Sequence, residues 1–351
     1  MYTFAMTNSS STLYRNYRPT KFSESRGQEQ IVSVLENQIK NKRPAHAYLF
    51  SGGRGTGKTT FARILAHELG VSDKDLIEMD AASNRGIDDI RELREGVYAL
   101  PFESPYKLYI IDEAHMLTKD AWNALLKTLE EPPAHVIFVL ATTEKDKVPD
   151  TIQSRCEIYT FKQPSREILS NMVSDVAHKE GYSLDKAAAE LLALLADGSF
   201  RDALSILQKV LSVAKEKKIT REEVELVSGA PSSELVRELL QSIAKKDTER
   251  GLKAIHTAIE AHMDTRVLTR FLIHRLRLVL LVRYAPEIAH QLSEELNDAD
   301  VVFAQNLSKE PGINSDALRQ LLEAYSIMAY AAVPHLPLEL AMIDLGQVSS
   351  R

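Results

Sequence analysis

The sequence predicts an α/β fold in which a parallel sheet carries a phosphate-binding loop, followed by chain that is helical throughout. Three observations predict it. Short apolar runs alternate with helical patterns over roughly the first 160 residues, which is how a parallel sheet covered by helices is written. A glycine-rich run, Ser51 to Thr60, directly follows one of those apolar stretches, and beyond Gly229 only helical periodicity is present.

The first strand is Ala47-Tyr48-Leu49-Phe50. It leads into Gly52, Gly53, Arg54, Gly55, Thr56, Gly57, Lys58, Thr59 and Thr60, a complete phosphate-binding loop. The glycines let successive N–H groups turn toward phosphate oxygens, and the helix starting near Lys58 adds the positive end of its dipole. Lys58 is placed to reach the β/γ-phosphates and Thr59 to hold Mg2+. A nucleoside triphosphate with Mg2+ is therefore the expected ligand.

Leu76 to Asp80 reads as a second strand and Lys107 to Asp112 as a third. Four consecutive apolar residues, Leu108 to Ile111, fit a strand buried on both faces, so Asp112 and Glu113 fall at its C-terminal edge, where α/β sheets place ligands. Asp112 suits Mg2+, and Glu113 suits orientation of an attacking water. Val136 to Leu140 forms the next strand and ends in Thr142 and Thr143. A hydroxyl there either caps a turn or contacts the γ-phosphate or the water; Thr143, nearer the following helix, is the better candidate for the second role. Glu157 to Phe161 completes the set. Between strands, Ile87, Ile90, Leu93 and Val97 recur at helical steps, as do Ala121, Leu125 and Leu129, while Trp122 and Leu126 read as core.

Pro164 and Ser165 open a helix with Ile168, Met172 and Val176 on one stripe, Gly181 closes it, and Asp185 caps the next, which carries Leu191, Leu192 and Leu195. A further helix begins at Gly198-Ser199-Phe200-Arg201, with Leu204, Leu207 and Leu211 inward. Arg201 lies at the unfavourable end of its helix dipole, so it reads either as a surface arginine or as one with a partner outside the helix. Thr220 and Glu223 form a capping box, and Gly229-Ala230-Pro231 marks a boundary. The remaining stripes are Leu235, Leu239 and Ile243; Leu252, Ile255 and Ile259; and Leu318, Leu322 and Tyr325. A long helix from Asp264 has Val267, Leu268, Phe271, Leu272, Leu276 and Leu280 around much of its circumference, which calls for partner packing or deep burial in its own domain. Pro334 and Pro337 are expected to end the helix before them and redirect the chain.

A net charge of −6 argues against a protein that coats nucleic acid through bulk positive charge, although a local basic face is compatible with it. No zinc finger or aromatic RNA-binding signature occurs. Arginines and a histidine interrupt the stretch from Phe271 to Val282, so it reads as a packed helix, and no membrane association is expected. The N-terminus shows no basic segment ahead of an apolar core, so a cytoplasmic location is the expectation. The single cysteine, Cys156, rules out an intrachain disulfide and a four-cysteine zinc site. His46, His67, His115 and His135 lack ligand spacing; His115 is placed instead to hydrogen-bond near the acidic pair.

Together the motifs resemble the gamma/tau (DnaX) family of clamp-loader ATPases of bacterial DNA polymerase III. The resemblance runs through Leu13-Tyr14-Arg15-Asn16-Tyr17-Arg18-Pro19, His46 to Gly52, Ile77-Glu78-Met79-Asp80-Ala81-Ala82-Ser83 and Ile111-Asp112-Glu113-Ala114-His115-Met116-Leu117. It continues in Asn123 to Pro133, Leu140 to Thr143, Ser154-Arg155-Cys156 and Gly198 to Leu204, in the same order. Residues 13 to 211 are covered closely and the C-terminal helices more loosely.

The resemblance implies an AAA+ nucleotide-binding domain over 1–162, a three-helix lid over 163–228 and an all-helical collar over 229–351 that joins subunits into a ring. It implies Lys58 and Thr59 for phosphate and Mg2+, Asp112 and Glu113 as the Walker B pair, Thr143 as sensor 1 and Arg201 as sensor 2. Arg155 becomes the finger that reaches ATP on a neighbouring subunit, and Tyr14, Arg15, Arg18 and Pro19 lie close to the adenine. Implied partners are copies of the same chain, delta- and delta-prime-like subunits, the sliding clamp and primer-template DNA. The family usually carries four zinc-binding cysteines after the phosphate-loop helix; this chain has Leu69 to Leu76 there, so no structural zinc is expected. Competing readings are an AAA+ DNA-remodelling motor such as a branch-migration ATPase, which should add a basic DNA-binding domain, and a structural ring subunit with little hydrolysis, against which the intact Walker residues argue.

Overall fold

The computed structural model describes residues 12–288 and 298–347, so the expected domain limits at residues 1 and 351 lie outside the described residues. Its contacts divide the chain into two compact units. One is built on residues up to Met172 together with Ala196–Ser205, the other on Val173–Leu195 and the chain from Ile206 onward.

The first unit contains β1 (Ala47–Gly52), β2 (Leu76–Asp80), β3 (Lys107–Asp112), β4 (Val136–Thr142) and β5 (Glu157–Phe161) in one sheet of order β2-β3-β4-β1-β5. Every neighbouring pair is parallel. The central strands are continuous apolar runs because alternate residues serve opposite faces. On one face Ala47, Leu49, Tyr109, Ile111, Phe138 and Leu140 meet Ile90 and Val97 of α4 (Ile87–Val97) and Ala121, Trp122, Leu125 and Leu129 of α5 (Lys119–Glu130). On the other, Tyr48, Phe50, Leu108, Ile110, Ile137 and Val139 meet Ile31 and Leu35 of α2 (Glu29–Lys40) and Phe61, Ile64 and Leu65 of α3 (Lys58–Glu68). Removing any one of these large side chains would cost about 2–5 kcal/mol. Thr118 caps α5 by accepting from the Ala121 N–H. Cys156 packs at the edge of the first core, and burial pushes its thiol up to about 12, so it stays protonated at neutral pH.

Between α3 and β2 the chain makes a short turn, with the Asp75 N–H donating to the Ser72 carbonyl. The Asp75 carboxylate accepts from the backbone N–H groups of Phe102, Glu103 and Ser104 and so ties the turn to the approach to β3.

α7 spans Arg166–Lys179 and α9 spans Phe200–Val213. In the second unit, α8 (Lys186–Leu195) begins behind Asp185, whose carboxylate accepts from Ala188, and α10 (Arg221–Ser228) begins at the capping box of Thr220 and Glu223. A two-residue parallel pair, Ser183–Leu184 with Lys218–Ile219, is too short to be signalled by any pattern. Then follow α11 (Ser233–Lys245), α12 (Thr248–Glu260), α13 (Thr265–Tyr284), α14 (Asp298–Leu307), α15 (Ser315–Ile327) and α16 (Leu336–Gln347). Among the described residues no helix is long and apolar enough to cross a membrane.

Two expectations need revision here, and one open alternative is narrowed. The buried face of α15 is Ala317, Leu321 and Ala324, not the stripe of Leu318, Leu322 and Tyr325; Leu322 is exposed, and small alanines take two of the inward positions. The prolines do not end α15, which closes at Ile327; Pro337 sits in the first turn of α16, where a missing N–H costs nothing. In α13, Leu268, Phe271, Leu272 and Leu276 are buried within their own unit, and Asp264 caps the helix through Arg266 and Val267, so burial in the domain accounts for the wide apolar face.

Candidate nucleotide site

The site forms at the C-terminal ends of β1, β3 and β4. The loop after β1 turns back because Gly52, Gly55 and Gly57 hold positive φ. At two of them the surroundings also require glycine. A Cβ on Gly52 would lie 2.5 Å from the Phe161 carbonyl oxygen, and one on Gly55, at φ +70, would lie 2.0 Å from Ser199 Oγ. The Gly55 carbonyl accepts from the Phe200 N–H at 3.0 Å, so the loop abuts the start of α9. Thr56 donates to the Gly53 carbonyl at 2.9 Å and steadies the turn, while Arg54 points to solvent.

Lys58 opens α3 and is buried. Its ammonium donates to the carbonyls of Gly52 at 2.8 Å and Gly53 at 2.7 Å, inside the curve of the loop. Burial lowers its pKa and the Arg201 charge adds to that, while the carboxylates of Glu113 and Asp112 oppose it. Thr59 donates its hydroxyl to Asp112 Oδ2 at 2.8 Å. A hydroxyl and a carboxylate converging on one point are hard oxygen donors of the kind Mg2+ prefers, so the donor set fits that ion.

β4 lies between β1 and β3 and brings Thr143 beside the acidic pair: Thr143 Oγ1 donates to Glu113 Oε2 at 3.3 Å. Glu113 itself holds φ +49, a conformation that costs a side-chain-bearing residue energy and persists only where neighbours impose it. Its N–H donates to Asp112 Oδ1 at 3.0 Å. His115 is nearly enclosed and shares a hydrogen bond of 3.1 Å with Thr142.

The N-terminal segment reaches the same region. Arg18 Nε donates to Thr60 Oγ1 at 2.9 Å, and Pro19 follows it, half-buried. The guanidinium groups of Arg15 and Arg201 each lie 5.7 Å from the centre of the Tyr14 ring. Lys58, Thr59, Thr60, Asp112, Glu113, Thr143, Arg18, Tyr14 and Arg201 are thus linked through direct contacts or through the loop. Arg155 is engaged elsewhere, in an ion pair with Glu130 at 2.6 Å and a bond to the Thr151 carbonyl. Sequence reasoning missed Glu130, Glu144 and Ser199, for which no spacing signal exists; only folding brings residues 130 and 155 together.

Two family models match the chain. One, described as DNA polymerase III, delta subunit, matches residues 27–85 and 70–165; the other, DNA polymerase III clamp loader subunit, ATPase lid domain, matches 169–216. The DNA polymerase III subunit gamma of Buchnera aphidicola subsp. Schizaphis graminum is 32% identical over 85% of this chain and 88% of its own. The chain belongs to the gamma/tau family of DNA polymerase III subunits. Another member, the tau subunit of Bacillus subtilis, is 36% identical over 96% of this chain and 63% of its own length. This gamma/tau chain spans only 34% and 52% of the related proteins from Mycoplasma pneumoniae and Mycobacterium bovis. Among solved structures, the Thermotoga maritima RuvB Holliday junction branch migration motor matches with a TM-score of 0.52 at 24% identity, over 65% of this chain and 79% of that one. At that identity the likeness speaks to the fold alone.

Proposed function

We propose that this chain is the ATPase subunit of a bacterial DNA polymerase III clamp loader, which uses ATP binding and hydrolysis to open the sliding clamp and load it onto primer-template DNA. The observation that carries the reading is the bond from Thr59 to Asp112, with Glu113 and Thr143 beside it, in a chain of the gamma/tau family.

In this reading the loop from Gly52 to Thr59 and the Lys58 ammonium bind the β- and γ-phosphates, and Tyr14, Arg15, Arg18 and Pro19 border the adenine. Thr59 and Asp112 hold Mg2+, which when bound neutralises charge on the phosphate oxygens. Glu113 accepts a hydrogen bond from the attacking water and receives its proton as the water oxygen bonds to the γ-phosphorus and the bond to the β-phosphate oxygen breaks. Thr143 steadies the carboxylate. Arg201, held at the Tyr14 ring, supplies charge from α9, and Arg155 supplies it to a neighbour's site after assembly. The chain is organised as a nucleotide-binding domain over 1–162, a lid over 163–228 and a collar over 229–351 through which it joins copies of itself and delta- and delta-prime-like subunits, in the cytoplasm.

The test is ATP turnover by the chain assembled with its candidate loader partners, with and without sliding clamp and primed DNA. Strong stimulation only with all components supports loading. Stimulation by junction DNA without clamp would replace this reading with a branch-migration motor, and ATP binding without turnover would replace it with a structural ring subunit.

A further inference from the structure

The reading of Glu113 as the water-orienting base leaves open which of its oxygens does the work and what holds the carboxylate still. Thr143 Oγ1 donates to Oε2 at 3.3 Å, and His115 Nδ1 lies 3.5 Å from the same oxygen. Among the described residues Oε1 takes part in no hydrogen bond or ion pair. The protein's polar contacts therefore fall on one of the two carboxylate oxygens.

His115 is built into its position. It sits on the single turn Ala114–Met116, closed by N–H bonds from Met116 to Glu113 and from Leu117 to Ala114, and Ala114 is fully buried. Its side chain is only 7% exposed, so it cannot swing away without leaving a gap in the packing. The Nδ1 edge meets Thr142 Oγ1 at 3.1 Å and the Nε2 edge lies 3.3 Å from Glu144 Oε1. Thr142 Oγ1 in turn accepts from the Glu144 N–H at 3.0 Å. Lys147 pairs with Glu144 and, with the His115 contact adding, keeps that carboxyl below its ordinary pKa, so a lasting negative charge faces the imidazole.

We propose that His115 is a positioning residue for hydrolysis: it bridges the ends of β3 and β4, through Thr142 and Glu144, and fixes Glu113 by its Oε2 so that Oε1 is presented to the attacking water. The proposal rests on the nucleotide-hydrolysing role given above. An enclosed histidine that merely satisfied the core would affect stability; a positioning residue affects turnover at unchanged ATP affinity.

The experiment measures kcat, KM for ATP, direct binding of a fluorescent ATP analogue and thermal melting for the full chain in its loader assembly with clamp and primed DNA. The variants are His115→Ala, His115→Asn, His115→Gln and Glu144→Gln. His115→Ala should lower kcat about tenfold or more, since small misplacements of a reacting group are costly, with analogue binding unchanged. His115→Asn, whose amide occupies the place of Nδ1, should recover more kcat than His115→Gln, whose amide reaches toward Glu144. Glu144→Gln, at a half-exposed site that tolerates substitution, should lower kcat a few-fold and thereby tests the bridge even if the His115 variants fold poorly. Unchanged kcat in His115→Ala, equal impairment of the Asn and Gln variants, or an unaffected Glu144→Gln would each overturn the proposal while wild-type turnover leaves the functional reading standing. A wild-type assembly that binds ATP without hydrolysing it would overturn both.

Discussion

Thr59 and Asp112 lie 53 residues apart and meet at 2.8 Å, hydroxyl to carboxylate, so the first turn of α3 and the end of β3 share one point above the sheet. The strand between β3 and β1 is β4, which brings Thr143 to the acidic residue next to that point. In the proposed reading, phosphate grip, cation donors and water-orienting group are thereby gathered at the ends of three adjacent strands. From this arrangement Glu113→Gln is expected to retain ATP binding within a few-fold while kcat falls by about 100-fold or more, the ordinary worth of a general base. Lys58→Ala should instead weaken binding itself, and titration of a fluorescent nucleotide against both variants separates the effects.

Gly55 is fixed both by its φ of +70 and by Ser199, 2.0 Å from where a Cβ would stand. Gly55→Ala should lower the melting temperature and weaken ATP binding about tenfold or more. Adding Ser199→Ala relieves the collision but not the backbone strain, so only partial recovery is expected. Full recovery in the double variant would place the whole requirement in the collision.

Arg155 and Glu130 form a part-exposed ion pair, with side chains 33% and 41% accessible, and such pairs contribute only about 0–1 kcal/mol. Arg155→Ala should therefore melt close to wild type when the chain is studied alone. In mixed assemblies it should slow hydrolysis at the adjoining subunit with little change in ATP binding, as measured by stimulated turnover against the fraction of variant chain. Normal stimulated turnover would remove the trans role.

Asp75 is buried, and burial by itself opposes its charge. The N–H groups of Phe102, Glu103 and Ser104 outweigh that and hold its carboxyl well below the ordinary carboxylate value. A folded pKa below the unfolded one means stability that is present above the unfolded value, about 4, and lost as pH falls through the folded value. Asp75→Asn should destabilise the sheet unit at neutral pH, and its deficit against wild type should shrink as pH drops below about 4. Urea midpoints of both proteins across that range check the sign.

Arg283 directs its guanidinium to the backbone carbonyls of Ser308, Glu310 and Ile313, closing the end of α14 against α13. Arg283→Ala strands three acceptors in a half-buried setting and should cost about 3 kcal/mol, since charge-assisted hydrogen bonds exceed neutral ones. Arg283→Lys should restore only part of this, because an ammonium cannot reproduce the planar fork. Hydrogen exchange of the amides from residue 308 to 313 and melting of the helical unit report it.

Much of this site was readable in the chain because its signals are local. The loop needs its glycines, lysine and hydroxyl in one short order, and Asp112 and Glu113 end a strand whose apolar run announces its burial. The role of His115 was legible only as a hydrogen bond near the acids; its partners Thr142 and Glu144 arrive at the end of β4 and in the turn after it. Periodicity failed on α15, where Ala317, Leu321 and Ala324 face inward rather than Leu318, Leu322 and Tyr325, since a pattern of large residues cannot tell a buried leucine from an exposed one. It failed again at Pro337, because a proline in the first turn of a helix and one that terminates a helix look alike in sequence.

The sequence by itself determined the phosphate loop, the acidic strand end, the alternation of strands and helices and the capping residues, all of which depend on neighbours within a few positions. Only the tertiary structure decided the strand order that brings Asp112 to Thr59 and Thr143 to Glu113, the contact of Gly55 with the start of α9, and the enclosure of His115 between two carboxylates. Those relationships join residues tens of positions apart, and their partners are selected by which faces of the sheet and helices can be buried together, a property of the whole packed unit.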